Sequence, residues 1–247
     1  MSKLIIVGDI HTHYEKVERI IKKYHNTHKF IFMGDYFDQF GDTPEINSST
    51  AHWLKTQMKD RPDWVYLKGN HDEIYDPRTL CMCSGFSTQK KTAINEVMSI
   101  EDWDKLKYFH YENGYWFSHA GLSKYWFVHP MGQGLVIENV QKIIDESVIK
   151  QRTGLGTANA IWAASLARGG EHVVGSILWQ DWRDLEMIPD VKQVVGHTPI
   201  TKIQAISDNA TKSVIVNVDS SASRVYHSEV LEIDENGNRQ ILNTSYV

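Results

Sequence analysis

Short runs of apolar, largely β-branched residues recur at strand length, over positions 4–7, 30–33, 65–67, 115–117, 194–195 and 214–216. Between several of them the apolar positions change to three- and four-residue spacing. Val17, Ile20, Ile21 and Tyr24 form one such series, and Val140, Ile143, Ile144 and Val148 form another. That period predicts helices with one buried face. Ser99 followed three residues later by Asp102 reads as a capping box opening a helix through Trp103 and Leu106. Alternating strand and helix predicts an α/β fold. From Val191 onward strands dominate, over 213–218 and 230–233, with Glu235-Asn236-Gly237-Asn238 as a turn before Gln240-Ile241-Leu242. We therefore expect two packed β-sheets flanked by helices, the second sheet more antiparallel than the first. The chain contains no Pro/Ser/Gly linker and no fixed-period repeat, so residues 1–247 read as one domain. The stretch 131–175, rich in alanine and glycine between helical patterns, reads either as a cap-like helical insertion over a cleft or as outer-layer helices.

Composition removes several classes. A chain of 247 residues, 41% hydrophobic, buries enough surface to fold without disulfide or structural-metal staples. The two cysteines, Cys81 and Cys83, stand one residue apart, too close for an ordinary bridge, so a reduced, cytoplasmic setting is expected. The apolar run 4–7 is stopped by Asp9, far short of a signal-peptide core. The longest uncharged stretch, 153–167, falls below the roughly 18 residues of a membrane span. A net charge of −5 argues against a nucleic-acid binder with a broad basic face.

The chemistry is concentrated where strand-like runs end. Five of them end in a small residue followed by a polar, metal-ligating type. The blocks are Gly8-Asp9-Ile10-His11, Gly34-Asp35-Tyr36-Phe37-Asp38, Gly69-Asn70-His71-Asp72, Ser118-His119-Ala120-Gly121 and Gly196-His197-Thr198-Pro199. In α/β sheets, ligands gather outside the carboxyl ends of the strands, so these blocks are expected at one sheet edge. Among their residues Asp9, Asp35, Asn70 and the four histidines make a mixed oxygen and imidazole set that suits Mn²⁺, Fe²⁺ or Zn²⁺. The set exceeds what one ion takes. Two ions sharing a carboxylate would use it and form a clamp suited to displacement at phosphorus.

The five blocks, in this order from residue 8 to residue 199, resemble the calcineurin-like metallophosphoesterase superfamily, nearest its serine/threonine phosphoprotein phosphatase and diadenosine-tetraphosphatase branch. The resemblance implies that Asp9 and His11 bind a first metal, that Asp35 bridges both, and that Asn70, His119 and His197 complete the second. Manganese is the first expectation for both ions. A metal-bridged hydroxide would attack the phosphorus of a phosphorylated substrate, with Asn70 also touching the phosphate. His71 would then protonate the leaving oxygen and Asp38 would orient it, since a neighbouring carboxylate keeps an imidazole protonated.

One departure concerns the phosphate grip. The phosphoprotein phosphatases usually follow the second block with Arg-Gly, whereas here Asp38 is followed by Gln39-Phe40-Gly41. Glutamine supplies neither charge nor a bidentate fork. Arg183, in Trp182-Arg183-Asp184-Leu185 shortly before the fifth block, is the candidate for a second family arginine that binds phosphate. The sequence Val218-Asp219-Ser220-Ser221-Ala222 resembles the family's closing strand and loop near the site. The expected activity is metal-dependent hydrolysis of a phosphomonoester, with a phosphoprotein as first suggestion. A phosphodiester or dinucleoside-polyphosphate hydrolase is the alternative. A catalytically retired scaffold is a third reading, which the intact ligand set opposes.

Overall fold

In the computed structural model, residues 2–125, 137–153, 159–220 and 229–244 are described. Among these residues ten strands form two five-stranded sheets. The first has the order β10-β9-β1-β2-β3, with β1 at Leu4–Val7, β2 at Lys29–Phe32, β3 at Val65–Tyr66, β9 at Glu229–Ile233 and β10 at Arg239–Asn243. The second has the order β4-β5-β6-β8-β7, with β4 at His110–Glu112, β5 at Tyr115–Phe117, β6 at Lys192–Val195, β7 at Gln204–Asp208 and β8 at Ser213–Asn217. Strands β1, β2 and β3 run parallel, as do β5, β6 and β8; β9 and β10 add antiparallel pairings beyond β1, and antiparallel β4 and β7 close the second sheet, whereas parallel β3 is the other edge of the first.

The alternating pattern of β1 builds the layers directly. Leu4 and Ile6 face the second sheet and pack with Ile31, Phe117, Val194 and Val216. Ile5 and Val7 face the other way, onto α1 (Tyr14–Tyr24) and α2 (Pro44–Asp60), through Val17, Ile20, Ile21, Trp53 and Leu54. The outer face of the second sheet packs Trp116 and Phe109 against Val140 and Ile144 of α6 (Ile137–Arg152). This matches the expected four-layer arrangement of helix, sheet, sheet and helix.

The structure differs from the sequence reading in where the last strands go. The hairpin β9–β10, joined by the expected turn, returns to the first sheet, where β9 pairs antiparallel with β1. Alternation in the β9 segment specifies a half-buried strand but not its partner. Within 131–175, helix α6 belongs to the outer layer, whereas 131–136 and 154–158 lie outside the described residues. The Ser99 capping box is present and opens α5 (Ile100–Trp103), which follows α3 (Asn70–Glu73) and α4 (Thr88–Asn95).

Candidate metal centre

Each of the five blocks leaves the carboxyl end of a parallel strand: Asp9 after β1, Asp35 after β2, Asn70 after β3, His119 after β5 and His197 after β6. Three come from the first sheet and two from the second, so the site straddles the edge of the sandwich. His11, Asp35, Asp38 and His197 hold left-handed backbone conformations, with φ of 44°, 49°, 65° and 65°. Non-glycine residues seldom adopt that region, and its clustering at one site reflects loops held by their surroundings. The loops touch so closely that a Cβ at Gly69 would fall on the Asp35 carboxylate. Asp72 ties the same loops together, accepting from the backbone N–H groups of Asp35, Tyr36 and Gly69, each at 2.8 Å.

Two groups of potential ligand atoms result. Asp9, His11 and Asp35 form one, and Asp35, His119 and His197 form the other, with Asp35 common to both. Asn70 joins the second, its Oδ1 lying 2.9 Å from His119 Nε2. His119 and His11 are oriented alike. Nδ1 of His119 faces the Met33 carbonyl at 2.8 Å, and Nδ1 of His11 faces the Asp38 carbonyl at 2.6 Å. A carbonyl only accepts, so Nδ1 carries the proton and Nε2 of the neutral ring presents a lone pair. This is how metal-binding histidines are usually held.

These atoms need positive charge among them. Nε2 of His119 faces Asn70 Oδ1, Nδ1 of His197 at 3.2 Å and Asp35 Oδ2 at 3.4 Å, all acceptors unless a ring is protonated. His197 Nε2 is buried without a hydrogen-bond partner. Burial opposes a proton on His119, yet the Asp35 and Asp9 charges push its pKa up to about 9. Burial and the charge on His119 hold His197 well below the usual imidazole value. For Asp35, burial is outweighed by His119, His71 and His11, which hold it well below the ordinary carboxylate range. A buried, convergent set of carboxylate, amide and imidazole donors that demands cationic charge fits divalent metal ions.

The site opens into a cavity of about 540 Å³, lined by His11, Asp35, Asp38, Gln39, Phe40, Gly41, Asp42, His71, Ser84, Gly85, Lys90, Arg168, His197, Pro199 and Asp219. His71 Nδ1 lies 3.1 Å from Asp38 Oδ2, and the His71 backbone N–H donates to Asp35 at 2.8 Å. Burial pulls the His71 pKa down, but the Asp35 charge and the Asp38 hydrogen bond carry it well above the ordinary imidazole value.

Arg183 is placed elsewhere. Its side chain is 67% exposed, ion-paired with Asp181 at 2.7 Å, and it does not line the cavity. Among the described residues the arginine that does is Arg168, on a 3₁₀ turn at Leu166–Arg168, with its guanidinium donating to the His197 carbonyl at 3.2 Å. No motif spacing marks Arg168, and Lys90 is likewise brought in only by tertiary packing. Asp219 lines the cavity as the sequence leads one to expect, while residues 221 and 222 of that segment lie outside the described residues. Trp182, next to Arg183, is buried against Leu185, Val195 and Ile215.

The chain matches the family model of calcineurin-like phosphoesterases over residues 2–220, and it belongs to that family. Solved structures of similar fold include a protein serine/threonine phosphatase from Saccharomyces cerevisiae, described as similar to human phosphatase PP5. It shares 14% identity and a TM-score of 0.56, over 100% of this chain and 80% of that one. A metallophosphoesterase from Sphaerobacter thermophilus shares 12% identity and a TM-score of 0.51, over 100% of this chain and 89% of that one. At such identities the likeness is one of fold. Among curated proteins, no sequence matches this chain. Family membership makes the chain a metal-dependent phosphoesterase, and therefore a hydrolase. Among the described residues, no helix is long and apolar enough to cross a membrane.

Proposed function

We propose that the chain is a phosphomonoesterase with a two-metal centre. The observation that carries this reading is the pair of ligand groups sharing Asp35, with the His71–Asp38 pair opening into the same cavity. Asp9, His11 and Asp35 would hold one ion, and Asp35, Asn70, His119 and His197 the other, with Mn²⁺ ahead of Fe²⁺ or Zn²⁺ for this donor set. Such ions supply Lewis acidity, lowering the pKa of water and stabilising charge on phosphoryl oxygens.

The chain's own residues do the rest. Asp38 holds the His71 ring through Nδ1, so that Nε2 of the imidazolium offers its proton to the leaving oxygen. Arg168 and the Asn70 amide offer donors to the phosphoryl oxygens, and a guanidinium can do so bidentately. Arg168 thereby takes the role that Gln39 cannot fill. A reducing, cytoplasmic setting goes with this reading of a chain whose two cysteines, Cys81 and Cys83, stand too close to bridge each other.

The test is hydrolysis with Mn²⁺ of p-nitrophenyl phosphate beside bis(p-nitrophenyl) phosphate. Faster turnover of the monoester is expected. A faster diester would replace this reading with a phosphodiesterase. Fewer than two metal ions bound, with no turnover of either ester, would point to a retired scaffold.

A further inference from the structure

Phe40 stands two residues beyond Asp38, the carboxylate that pairs with His71 at 3.1 Å, so an aromatic ring follows closely on that pair in the chain. The turn that carries the ring is tightly held at its base. Asp42 N donates to the Gln39 carbonyl at 3.1 Å and Gln39 N donates to Asp42 Oδ2 at 3.0 Å. Asn47 Nδ2 donates to the same Oδ2 at 2.6 Å, and Lys90 pairs with the other oxygen. Gly41, with φ at 82°, supplies the left-handed residue that closes the turn.

Phe40 sits at the tip and is 95% exposed. A single exposed phenylalanine is ordinary on a protein surface. This one lines the catalytic cavity, on the first-sheet side that also supplies Asp38 and His71. On the reading in which His71 protonates the leaving oxygen, the rest of the leaving group would lie on that side of the cavity. The cavity, about 540 Å³, falls in the range that admits a ligand far larger than phosphate.

Resting on the phosphomonoesterase reading, we propose that Phe40 is a specificity-determining residue, a platform on which a planar ring of the substrate's leaving group stacks. Its preferred substrates are accordingly ring-bearing phosphate esters, a nucleobase or an aryl group supplying the ring, over alkyl phosphates. Stacking on an aromatic side chain tolerates different rings because each offers a π-face.

The experiment compares wild type, Phe40→Ala and Phe40→Trp on adenosine 5′-monophosphate, phenyl phosphate and glycerol 2-phosphate with Mn²⁺. Phe40→Ala is expected to lower kcat/KM roughly tenfold on the adenosine ester, the phenyl ester or both. Glycerol 2-phosphate should stay within about twofold, and Phe40→Trp should restore the loss. A loss confined to the adenosine ester assigns the ring to a nucleobase, and one confined to the phenyl ester assigns it to an aryl group. Equal losses on all three esters, or none on either ring-bearing ester, would overturn the proposal. Should wild type cleave none of the three, the phosphomonoesterase reading fails. Saturation-transfer NMR of adenosine and phenol on the same proteins then decides the platform separately: ring signals lost in Phe40→Ala support it, and unchanged or absent signals reject it.

Discussion

His71 Nδ1 and Asp38 Oδ2 lie 3.1 Å apart, and the other oxygen of that carboxylate accepts from Tyr75 OH at 2.6 Å and Lys90 Nζ at 2.8 Å. With both oxygens engaged, Asp38 cannot swing away from the imidazole. The pair therefore reads as a preset proton donor, and its value depends on how much protonation the leaving group needs. His71→Ala should slow hydrolysis of an alkyl phosphate by roughly 10²–10⁴-fold while slowing p-nitrophenyl phosphate far less. Asp38→Asn should show the same contrast at smaller size. Steady-state kinetics on both esters check this, and equal losses would remove His71 from the acid role.

Asp35 is the residue common to both ligand groups, so on the two-metal reading its charge would serve two sites at once. Asp35→Asn should therefore reduce bound metal to less than one ion per chain. Asn70→Ala, which touches only the His119 side, should retain one. Elemental analysis of the purified variants separates the two outcomes, and an Asp35→Asn protein that keeps both ions would refute a shared ligand.

Much of this site is legible from local pattern, because a strand ending in a small residue and a ligand is a short-range signal. Asp9, Asp35, Asn70, His119 and His197 converge as parallel strands require. What escapes is non-local. Helix α2 buries Asn47 and Thr50 beside Leu54, so its apolar periodicity is interrupted by residues that satisfy themselves with local hydrogen bonds. Edge strand β7 is nearly all exposed and carries no core-facing alternation. Arg168 and Lys90 enter the cavity from segments whose local sequence gives no reason for it, and Arg183, in the right neighbourhood, is held outside by Asp181. Distance in sequence measures nothing about which cation a folded loop delivers.

Glu112 offers a pH-dependent test of the packing between the sheets. Its Oε2 lies 2.7 Å from Lys29 Nζ and 2.8 Å from His110 Nε2. Burial favours the neutral acid, but the hydrogen bonds from His110 and Lys29 lower its pKa to about 2. The folded value lies below the ordinary 4.5, so the stabilisation is fully present above pH 4.5 and is lost as pH falls toward 2. Discounted for partial exposure, it amounts to about 1 kcal/mol. Glu112→Gln should lower stability by that amount at pH 7, and urea titrations should show the gap closing below pH 4.5. A gap that stays constant to pH 3 would assign the loss to packing instead.

Lys68 immediately precedes the Gly69-Asn70-His71 block and is only 1% exposed. Its ammonium lies 2.8 Å from Glu73 and 2.7 Å from Asp76, with the rings of Trp103 and Tyr108 at 5.3 and 5.5 Å. Burial alone would discharge a lysine, but the charges on Glu73 and Asp76 raise its pKa and keep the cation. The cluster anchors the end of β3 from behind, so Asn70 and His71 stand on a buried ionic base. Lys68→Met removes the cation between two buried carboxylates. Asp76 keeps Arg78 at 2.8 Å and Arg152 at 3.4 Å, and Glu73 keeps the hydroxyls of Thr79 and Tyr108. The expected loss is about 3–5 kcal/mol, the usual result of breaking a buried ionic network from one side. Adding Glu73→Gln should recover part of it, because one of the two buried carboxylates that faced the cation is then neutral. Urea unfolding at constant m-value measures both steps. A loss below about 1 kcal/mol for Lys68→Met, or no recovery in the double variant, would mean that the carboxylates discharge and that the block is held by Asp72 alone.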